Sequence, residues 1–452
     1  MQNNFSFKSS RILTQIAVFL IPFYFFRFSI GPIKTNVFEV AVLVALLNTL
    51  YIIRYTKKVA WGSSWPYVFL LIAFVSIFPA YNKTAALGIF KGWFLVPIVL
   101  YWLIINLFGL SSSGRQRHDP GIQGAKKQQN SLDSRLNPKG PLWGGNDKTV
   151  DDISKIILPL FAGFVVVTLW AVLQSFGAIT MLFYQKDDPT FLQYLVSSNF
   201  RLFGPFESPN YLAMYLVPVF FLTIPILYYF RRVLPKYFWL VAITLGFAIN
   251  ATLFTGSRAG MLAFVIPLTV IFYIKMRTVF RQNFKQGWVL IVLILVALSI
   301  FSLNFSAVTA NRSESNSDRL QIWHYSIDIG ASQPVFGIGL GSFYEKIAEV
   351  ADDDIDFIDN VLPYALHPHN VYLAMWLNLG ILGLAVFIVL IKDFFQSLWS
   401  RRSELIPVCL MMAMAAILIH GLFDTTYFKN DLSSIFWLII ALAEVLHVQA
   451  AE

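Results

Sequence analysis

Long apolar runs, each able to cross a lipid bilayer, constrain this chain more than any other feature of its sequence. A membrane-spanning helix needs about 20 mostly apolar residues, and the chain offers about twelve runs of this kind. They lie near 12–30, 37–53, 65–80, 88–108, 153–176, 210–230, 237–255, 259–275, 288–305, 369–391, 405–422 and 432–447. Only 13% of the 452 residues are charged, against about 25% in a soluble domain. The sequence therefore predicts an all-α polytopic membrane protein.

Two long polar segments interrupt the apolar runs and define the predicted organisation. Residues 1–110 would hold the N-terminal transmembrane helices, 111–152 a loop, 153–305 the central helices, 306–368 a second loop and 369–452 the C-terminal helices. The first loop is rich in Gly, Ser, Asn, Gln and Lys and has almost no apolar residues, so we expect it to be disordered. The second loop has apolar residues at helical spacing over 317–330, with Ser317 or Asp318 as the helix cap. It is therefore predicted to be partly helical.

The distribution of basic residues predicts the orientation of the helices. When the loops are numbered alternately, one set holds about two-thirds of the Lys and Arg residues, as expected for cytoplasmic loops. This set contains both termini and the segment 111–152, whereas 185–210, 257–258 and 306–368 fall on the outer side. The net charge of +9 is spread over short clusters between the helices, which excludes a nucleic-acid-binding face. Cys409 is the one cysteine, and we expect it only to pack within a helix.

Polar residues converge on the predicted outer side in the segment RLFGPFESPNYLA, residues 201–213. Its Gly-Pro turn and its Pro209–Asn210 pair are typical of a helix start, because proline fits the first helical turn. Arg201 is not explained by turn or capping chemistry. It is therefore a candidate binding residue, with Asn210 in a supporting position.

A second arginine, Arg258, lies between two long apolar runs in the segment TGSRAG, residues 255–260. An arginine at this depth is costly unless it reaches water or faces a polar cavity. Gly256 and Gly260 would allow the backbone to approach a ligand closely. Arg258 is thus either an interfacial anchor or part of an anion-binding site.

The polar loop begins with a predicted helix in which Arg319 and Trp323 share one face, because they are four residues apart. The two side chains could form a cation–π pair, or Arg319 could point towards a phosphate. Glycines follow in the stretch GIGLGSF, residues 337–343. A dinucleotide site is rejected there, because no strand–helix–strand unit surrounds the glycines and they are predicted to face outward.

The polar loop ends in HPHNVYLAMWLNLG, residues 367–380, where it turns into an apolar helix. His369 stands at this junction, and a neutral imidazole is a natural general base near pH 7. Asn370 could cap the helix or orient the imidazole. A metal site formed by His367, His369 and the acidic run 352–359 is the alternative, but Pro368 and the helix start disrupt its geometry. We therefore predict no metal and no cofactor.

The arginines and the histidine together suit a lipid carrying a phosphate or diphosphate. Arginine binds phosphate oxygens in a bidentate manner, and histidine can remove a proton from an acceptor hydroxyl. The chain shows no P-loop to suggest nucleotide chemistry.

These motifs resemble the O-antigen ligase and O-antigen polymerase superfamily. The resemblance rests on GPFESPNYLA, TGSRAG, the Arg–x3–Trp pair of 319–323 with the P–x2–G–x–G–x–G that follows it, and HNVYLAMWLNLGILGL. It implies a metal-independent, inverting transferase of the bacterial inner membrane, with both termini cytoplasmic and the active site facing the periplasm. It places the family's histidine on His369 and its arginines on Arg258 and Arg319, while Arg201 is our addition. The inserted loop 111–152 departs from the compact family pattern.

The resemblance further implies the partners of the protein. The donor would be an undecaprenyl-diphosphate-linked glycan, and the acceptor a lipid A core sugar for a ligase or another lipid-linked glycan for a polymerase. A transferase that glycosylates proteins shares this donor chemistry. A flippase for lipid-linked sugars would also need arginines, but flippases usually have internal symmetry, which the sequence lacks by inspection. The motifs do not separate a ligase from a polymerase. We take the ligase as the leading hypothesis, with the polymerase, the protein glycosyltransferase and the flippase as alternatives.

Overall fold

A computed structural model describes residues 2–31, 33–57, 59–109, 147–176, 201–233, 235–280 and 313–450. These ranges are almost entirely helical. The exception is a two-stranded antiparallel hairpin, β1 (Arg27–Ile30) and β2 (Ile33–Asn36), which pairs Arg27 with Asn36 and Ser29 with Lys34. Gly31 makes the turn with a φ of +58°, a conformation that glycine adopts at no steric cost.

The helices of the N-terminal half follow the apolar runs. They are α1 (Gln2–Leu20), α2 (Val37–Thr56), α3 (Trp65–Val75), α4 (Lys83–Ile89), α5 (Val96–Ile104), α6 (Asp147–Ser175), α7 (Pro209–Val233) and α8 (Phe238–Phe254). A π-helical turn, Phe90–Leu95, joins α4 to α5, and a second one, Ile105–Gly109, follows α5. Short 3-10 turns lie at Ile21–Phe23 and Pro235–Tyr237.

The helices of the C-terminal half include the short ones of the polar loop. They are α9 (Arg258–Phe280), α10 (Ser313–Ser332), α11 (Phe343–Val350), α12 (Ile355–Asn360), α13 (Val371–Trp399), α14 (Leu405–His420) and α15 (Asn430–Ala450). A 3-10 turn, Leu362–Tyr364, precedes α13. The polar loop is thus partly helical, as the apolar spacing indicated.

Seven helical segments among the described residues are long and apolar enough to cross a membrane. They are Val37–Thr56, Lys83–Gly109, Asp152–Ser175, Pro209–Arg231, Pro235–Phe254, Val371–Trp399 and Asn430–His447. Trp65–Val75, Arg258–Ile271 and Leu405–His420 are apolar but shorter. The predicted run 288–305 lies outside the described residues. This architecture is that of a polytopic membrane protein.

Three expectations about element boundaries are wrong. The run 12–30 is not one helix, since α1 ends at Leu20 near Pro22 and β1 begins at Arg27. Helix α6 begins at Asp147, inside the segment predicted as a disordered loop; residues 111–146 lie outside the described ranges. Helix α10 begins at Ser313, so Ser317 and Asp318 are internal to it and cannot be its cap.

The core lies where α15, α14 and α7 meet the other apolar helices. Helix α14 packs on α7 and α9, and α15 packs on α5. The largest side chains in this core, Trp437, Tyr427 and Tyr215, are fully buried. The indole of Trp437 donates a hydrogen bond to the Tyr427 hydroxyl at 3.0 Å, so these polar groups are paired within apolar surroundings.

The polar loop is fixed to the helices by close backbone contacts that glycine allows. Gly339, with a φ of +90°, lies so near Ala80 that an added Cβ would come within 2.5 Å of the Ala80 nitrogen. Gly380, with a φ of +71°, kinks α13 beside the carbonyl of Val335. The amide of Leu340 donates to the carbonyl of Ser76 at 3.0 Å. The glycine-spaced stretch therefore packs the loop against the helices.

Candidate functional site

His369 occupies a strained position at the junction between the polar loop and α13. Its φ is +45°, a left-handed conformation that side chains other than glycine rarely adopt. The next residue, Asn370, caps the helix, because its side-chain oxygen accepts from the amides of Tyr372 and Leu373 at 2.9 and 3.0 Å. The indole of Trp323 donates to the carbonyl of Pro368 at 2.9 Å. Contacts on both sides thus hold the histidine in place.

The carboxylate of Asp424 lies beside both histidines of the junction. Its Oδ1 atom is 3.6 Å from Nδ1 of His369 and 3.9 Å from Nδ1 of His367, and the two imidazole rings lie 4.1 Å apart. The separation from His369 is slightly longer than a hydrogen bond. The Asp424 side chain is only 3% exposed, so its charge is shielded from water.

Backbone and side-chain contacts hold Asp424 against the start of α13. The amide of Val371 donates to the carbonyl of Gly421 at 2.7 Å, and the Asn370 side chain donates to the carbonyl of Leu422 at 3.1 Å. On the other side, the amide nitrogen of the Asn210 side chain donates to Oδ2 of Asp424 at 3.1 Å. The segment between α14 and α15 is therefore part of the site.

The charges in this cluster shift the pKa values of its members. Burial alone would raise the pKa of Asp424, but its interactions with the neighbouring histidines, above all the polar contact with His369, outweigh burial and hold this pKa below its usual range. Burial, aided by the neighbouring His369 and Arg319, lowers the pKa of His367 to about 3. At neutral pH Asp424 is thus an anion beside an uncharged His367.

Two of the predicted arginines join this cluster. Arg201 donates from Nε to the carbonyl of Thr255 at 2.6 Å and from Nη2 to the Asn210 side chain at 3.2 Å. Arg319 is close enough for its charge to influence His367, and its buried Nε atom has no hydrogen-bond partner among the described residues. Arg319 therefore brings a donor to the cluster that the described part of the chain leaves unused.

The third arginine, Arg258, begins α9 directly after the turn that contains Thr255. Its side chain is exposed, and it has no hydrogen bond or ion pair with another described residue. The hydrogen bond from Arg201 to Thr255 brings this turn to the edge of the cluster. The structure thus connects Arg201, Asn210 and His369 through Asp424 and gives Arg258 a peripheral, exposed place.

A second charged group continues the site from Asn210 towards the β-hairpin. Lys429, whose side chain is 7% exposed, lies 3.6 Å from Oε2 of Glu207 and 3.5 Å from the ring centre of Tyr211. Burial lowers the pKa of Lys429, and the charge of Glu207 opposes this shift. Arg27 of the hairpin lies 3.9 Å from Oε1 of the same glutamate. Glu207 therefore joins the hairpin to the histidine cluster.

A metal ion is the alternative occupant of the histidine cluster. Ligand atoms of His367, His369 and Asp424 lie within 4.8 Å of one another, a spacing at which they could together hold a cation. Among the described residues, no carboxylate of the acidic run 352–359 belongs to this group. Asp354 of that run instead caps α12 through the Phe357 amide and accepts from Tyr325 at 2.7 Å. The geometry permits both a proton-accepting pair and a metal site.

The sequence interpretation missed Asp424 and Lys429. The sequence does contain a signal for these two residues, because both lie in the short segment GLFDTTYFKN, residues 421–430, between two apolar runs. Alternate numbering of the loops puts this segment on the same side of the membrane as 306–368. An acidic and a basic residue in a short loop on the side of the candidate site therefore indicate candidate members of that site. Glu207, inside the quoted GPFESPN motif, was also overlooked.

Comparison with known proteins supports the resemblance read from the motifs. Residues 243–388 match the family model described as O-antigen ligase. A candidate polysaccharide ligase of Rickettsia typhi is 34% identical over 106 residues, covering 23% of this chain and 26% of the relative. One from Rickettsia prowazekii is 35% identical over 105 residues, covering 23% and 25%. One from Rickettsia bellii is 25% identical over 230 residues, covering 49% and 54%.

These matches confirm the resemblance to O-antigen ligases and define its extent. The chain spans about a quarter of the length of the first two relatives and about half of the third. Arg258, Arg319 and His369 fall inside the segment that the family model matches, whereas Arg201, Asn210 and Asp424 fall outside it.

Proposed function

We propose that this protein transfers a glycan from an undecaprenyl-diphosphate carrier to an acceptor hydroxyl at the outer face of the bacterial inner membrane. The observation that carries the proposal is the pairing of His369 with the buried Asp424, in a cluster where the charge of Arg319 reaches His367 and the Arg319 Nε has no hydrogen-bond partner among the described residues. A base oriented by a carboxylate and a cation with a free donor are the two elements that this reaction requires. The matched O-antigen ligase segment and the names of the relatives support it.

In the proposed reaction, His369, Asp424 and the two substrates each have a defined role. The acceptor hydroxyl oxygen attacks the anomeric carbon of the donor glycan, and His369 takes the hydroxyl proton as the new C–O bond forms. The bond between the anomeric carbon and the diphosphate oxygen breaks, and its electron pair leaves with undecaprenyl diphosphate. Attack opposite the leaving group inverts the anomeric configuration. The Asp424 carboxylate orients the imidazole and stabilises the imidazolium that forms, so we assign it a positioning role.

The arginines stabilise the charge that develops on the leaving group. Arg319 supplies donors at the histidine cluster, and the exposed Arg258 approaches the diphosphate from the edge of the site. Arg201 links the 255–258 turn to Asn210 and thereby to Asp424, so it couples the diphosphate side of the site to the base. The developing negative charge is met by fixed cations without a metal or nucleotide cofactor.

The outer location follows from the charge pattern of the loops. Five segments contribute to the clusters described above: the hairpin, the segment 201–208, the turn 255–258, the polar loop and the segment 421–429. Alternate numbering of the predicted spans puts these segments on the side poor in Lys and Arg. We therefore assign both termini to the cytoplasm and the site to the periplasm, where lipid-linked glycan is available.

We assign the acceptor as a lipid A core sugar, so the activity is that of an O-antigen ligase. Polymerisation of lipid-linked repeats uses the same donor chemistry and is the second candidate, while transfer to a protein and flipping of a lipid-linked sugar are weaker alternatives. Deleting the gene separates them. A ligase defect leaves long glycan on the lipid carrier, and a polymerase defect leaves single repeats.

Transfer by the purified protein in vesicles tests the enzymatic class. With undecaprenyl-diphosphate-linked glycan and a lipid A core acceptor, we expect product and free undecaprenyl diphosphate in equal amounts. If the lipid-linked glycan crosses the bilayer without being consumed, the protein is a flippase and not a transferase. If glycosylated periplasmic proteins disappear in the deletion strain, the acceptor is a protein and not a lipid A core sugar.

A further inference from the structure

A pocket of about 320 Å³ with several charged and polar groups in its lining lies between the β-hairpin and the start of the Lys83–Gly109 span. It is separate from the histidine cluster, and the proposed reaction does not use it. Its lining includes the cations Arg27, Lys34 and Lys91, the carboxylate of Glu39 and the amide of Asn430. Such a mixture of donors and acceptors in a small concave site is typical of a binding site for a polar ligand.

Internal contacts hold the floor of the pocket in place. Lys91 forms an ion pair with Glu39 at 2.7 Å and donates to the carbonyl of Lys34 at 2.5 Å. Glu39 also accepts from the Asn430 side chain at 3.1 Å and from the Thr35 hydroxyl at 2.8 Å. The carboxylate is only 7% exposed, so its charge is used internally. These contacts join the hairpin to α2, to the π-helical turn and to α15 without the help of a ligand.

The cations on the hairpin remain available to a ligand. The register pairs Arg27 with Asn36 and Ser29 with Lys34, so all four residues share one face of the hairpin, and all four line the pocket. The Lys34 ammonium has no ion pair with a described residue, and it is exposed. Arg27 forms a long ion pair with Glu207 at 3.9 Å and lies 5.7 Å from the ring centre of Tyr24, but 59% of its side chain is exposed. The open side of the pocket therefore carries positive charge.

The helix that forms the opposite wall leaves room for a ligand. Gly88 lines the pocket, and a Cβ added there would meet no atom within 4 Å. The next turns of this helix are π-helical, over Phe90–Leu95, a feature often found at functional sites. The wide turn presents Lys91 to Glu39, and Gly92 allows Asn430 to approach closely.

The pocket is connected to the proposed reaction centre by charged contacts. Arg27 of the pocket and the buried Lys429 bind the two oxygens of Glu207 at 3.9 and 3.6 Å. Glu207 lies three residues before Asn210, whose side chain donates to Asp424. These contacts connect Arg27 of the pocket to the segment that carries Asn210, and through it to Asp424.

We propose that this pocket is a glycan subsite that binds one sugar residue bearing an anionic group, a phosphate or a carboxylate. Arg27 and Lys34 bind the anionic group, and the polar side chains of the floor and hairpin bind the sugar hydroxyls. The inference rests on the proposed function for the identity of the larger ligand, which is either the acceptor or the donor glycan. The pocket itself requires only an acidic sugar.

Direct binding tests the pocket independently of transfer. Saturation-transfer NMR on the full-length protein in detergent would use glucose 6-phosphate, glucuronic acid, glucose and inorganic phosphate as probes. We expect both acidic sugars to bind more strongly than glucose or phosphate. Lys34→Ala should weaken their binding about tenfold, because a charge-assisted contact is lost. Equal signals from glucose and the acidic sugars would overturn the proposal.

A cavity-filling variant supplies the matched comparison. Gly88→Leu places a side chain in the pocket without removing a charge, and it should abolish binding of both acidic sugars. Gly246→Leu is the control, because Gly246 is also helical, exposed and free of atoms within 4 Å of an added Cβ, but it does not line the pocket. Binding that survives in Gly88→Leu, or is lost equally in Gly246→Leu, would refute the subsite.

Transfer kinetics then identify which glycan enters the pocket. With Gly88→Leu, a raised KM for an acidic acceptor at unchanged donor KM assigns the pocket to the acceptor, and the reverse result assigns it to the donor. No change in either KM would overturn the role in glycan binding. If the wild-type protein binds acidic sugars but transfers no glycan, the proposed function fails while the pocket stands.

Discussion

Nδ1 of His369 lies 3.6 Å from Oδ1 of Asp424. The two residues are far apart in the chain, because His369 precedes α13 and Asp424 follows α14. The contact places a buried anion behind a histidine whose backbone is held at a φ of +45°. Conformations of this kind cost free energy and persist where the surroundings impose them. The surroundings here are the cap formed by Asn370 and the hydrogen bond from Trp323 to Pro368.

Replacing His369 should stop the chemical step without unfolding the protein. In His369→Asn, the asparagine tolerates the left-handed conformation but cannot accept the hydroxyl proton, so kcat should fall about 10²–10⁴-fold with little change in thermal stability. His367→Gln is the comparison, because His367 also contacts Asp424 but has no assigned role in proton transfer. Full transfer activity in His369→Asn would contradict the assignment of the base.

Removing the charge of Asp424 should affect kcat more than either KM. Asp424→Asn keeps the shape of the side chain but no longer stabilises an imidazolium, so we expect kcat to fall about 10²–10⁴-fold. The KM values for donor and acceptor should stay within a few-fold of wild type. A variant that loses activity only in proportion to its folded fraction would indicate a purely structural carboxylate.

Arg319 should act on the donor. Arg319→Ala removes a charge-assisted contact that strengthens as the diphosphate leaves, so kcat/KM for the donor should fall about 10–100-fold at unchanged acceptor KM. Arg319→Lys should recover only part of this loss, because lysine cannot bind two oxygens in a fixed plane. The control is Arg402→Ala, whose arginine is exposed and bonds the Trp399 carbonyl. A higher acceptor KM in Arg319→Ala would move this arginine to the acceptor side.

Chelation should leave the proposed reaction intact. Because the proposed mechanism gives His369 the role of the base and assigns no step to a metal ion, dialysis against EDTA should not change the transfer rate. Under the metal alternative, His367, His369 and Asp424 would be equivalent ligands. EDTA would then abolish transfer, added Zn²⁺ would restore it, and His367→Gln would be as inactive as His369→Asn.

Acidification should loosen the polar loop through Asp354. The hydrogen bonds from Tyr325 and the Phe357 amide lower the pKa of Asp354, and the same contact raises the pKa of Tyr325 to about 12. A depressed carboxyl pKa contributes stability that is complete above the unfolded value of about 3.9 and is lost as the pH falls through the folded value. Hydrogen exchange of residues 355–360, corrected for intrinsic rates, should therefore accelerate below about pH 4.

The comparison variant for the acid effect is Asp354→Asn. Asparagine can still cap α12 and accept from Tyr325, but it cannot be protonated in this range, so the pH dependence should disappear. Asp353→Asn, at an exposed neighbour, should retain it. Exchange that accelerates equally in Asp354→Asn would place the acid-sensitive group elsewhere in the loop.

The apolar runs predicted the helices well, because the length of a run and its hydropathy are local properties. Helices Val37–Thr56, Val371–Trp399 and Asn430–Ala450 begin close to where their runs begin. The first run shows the limit of this reasoning. Its apolar content continues through Phe28, but Pro22 and Gly31 favour a break and a hairpin, so the composition overestimated the helix.

The sequence by itself determined the helical class, the polar loop and the separate motifs that carry Arg201, Arg258, Arg319 and His369. Only the tertiary structure decided which of them meet, and it added Asp424 as the residue that joins His369 to Asn210. Hydropathy specifies that a segment becomes a helix but not which helices are neighbours. Contacts between residues far apart in the chain depend on that packing, and so does the pocket formed by the hairpin, Glu39, Lys91 and Asn430.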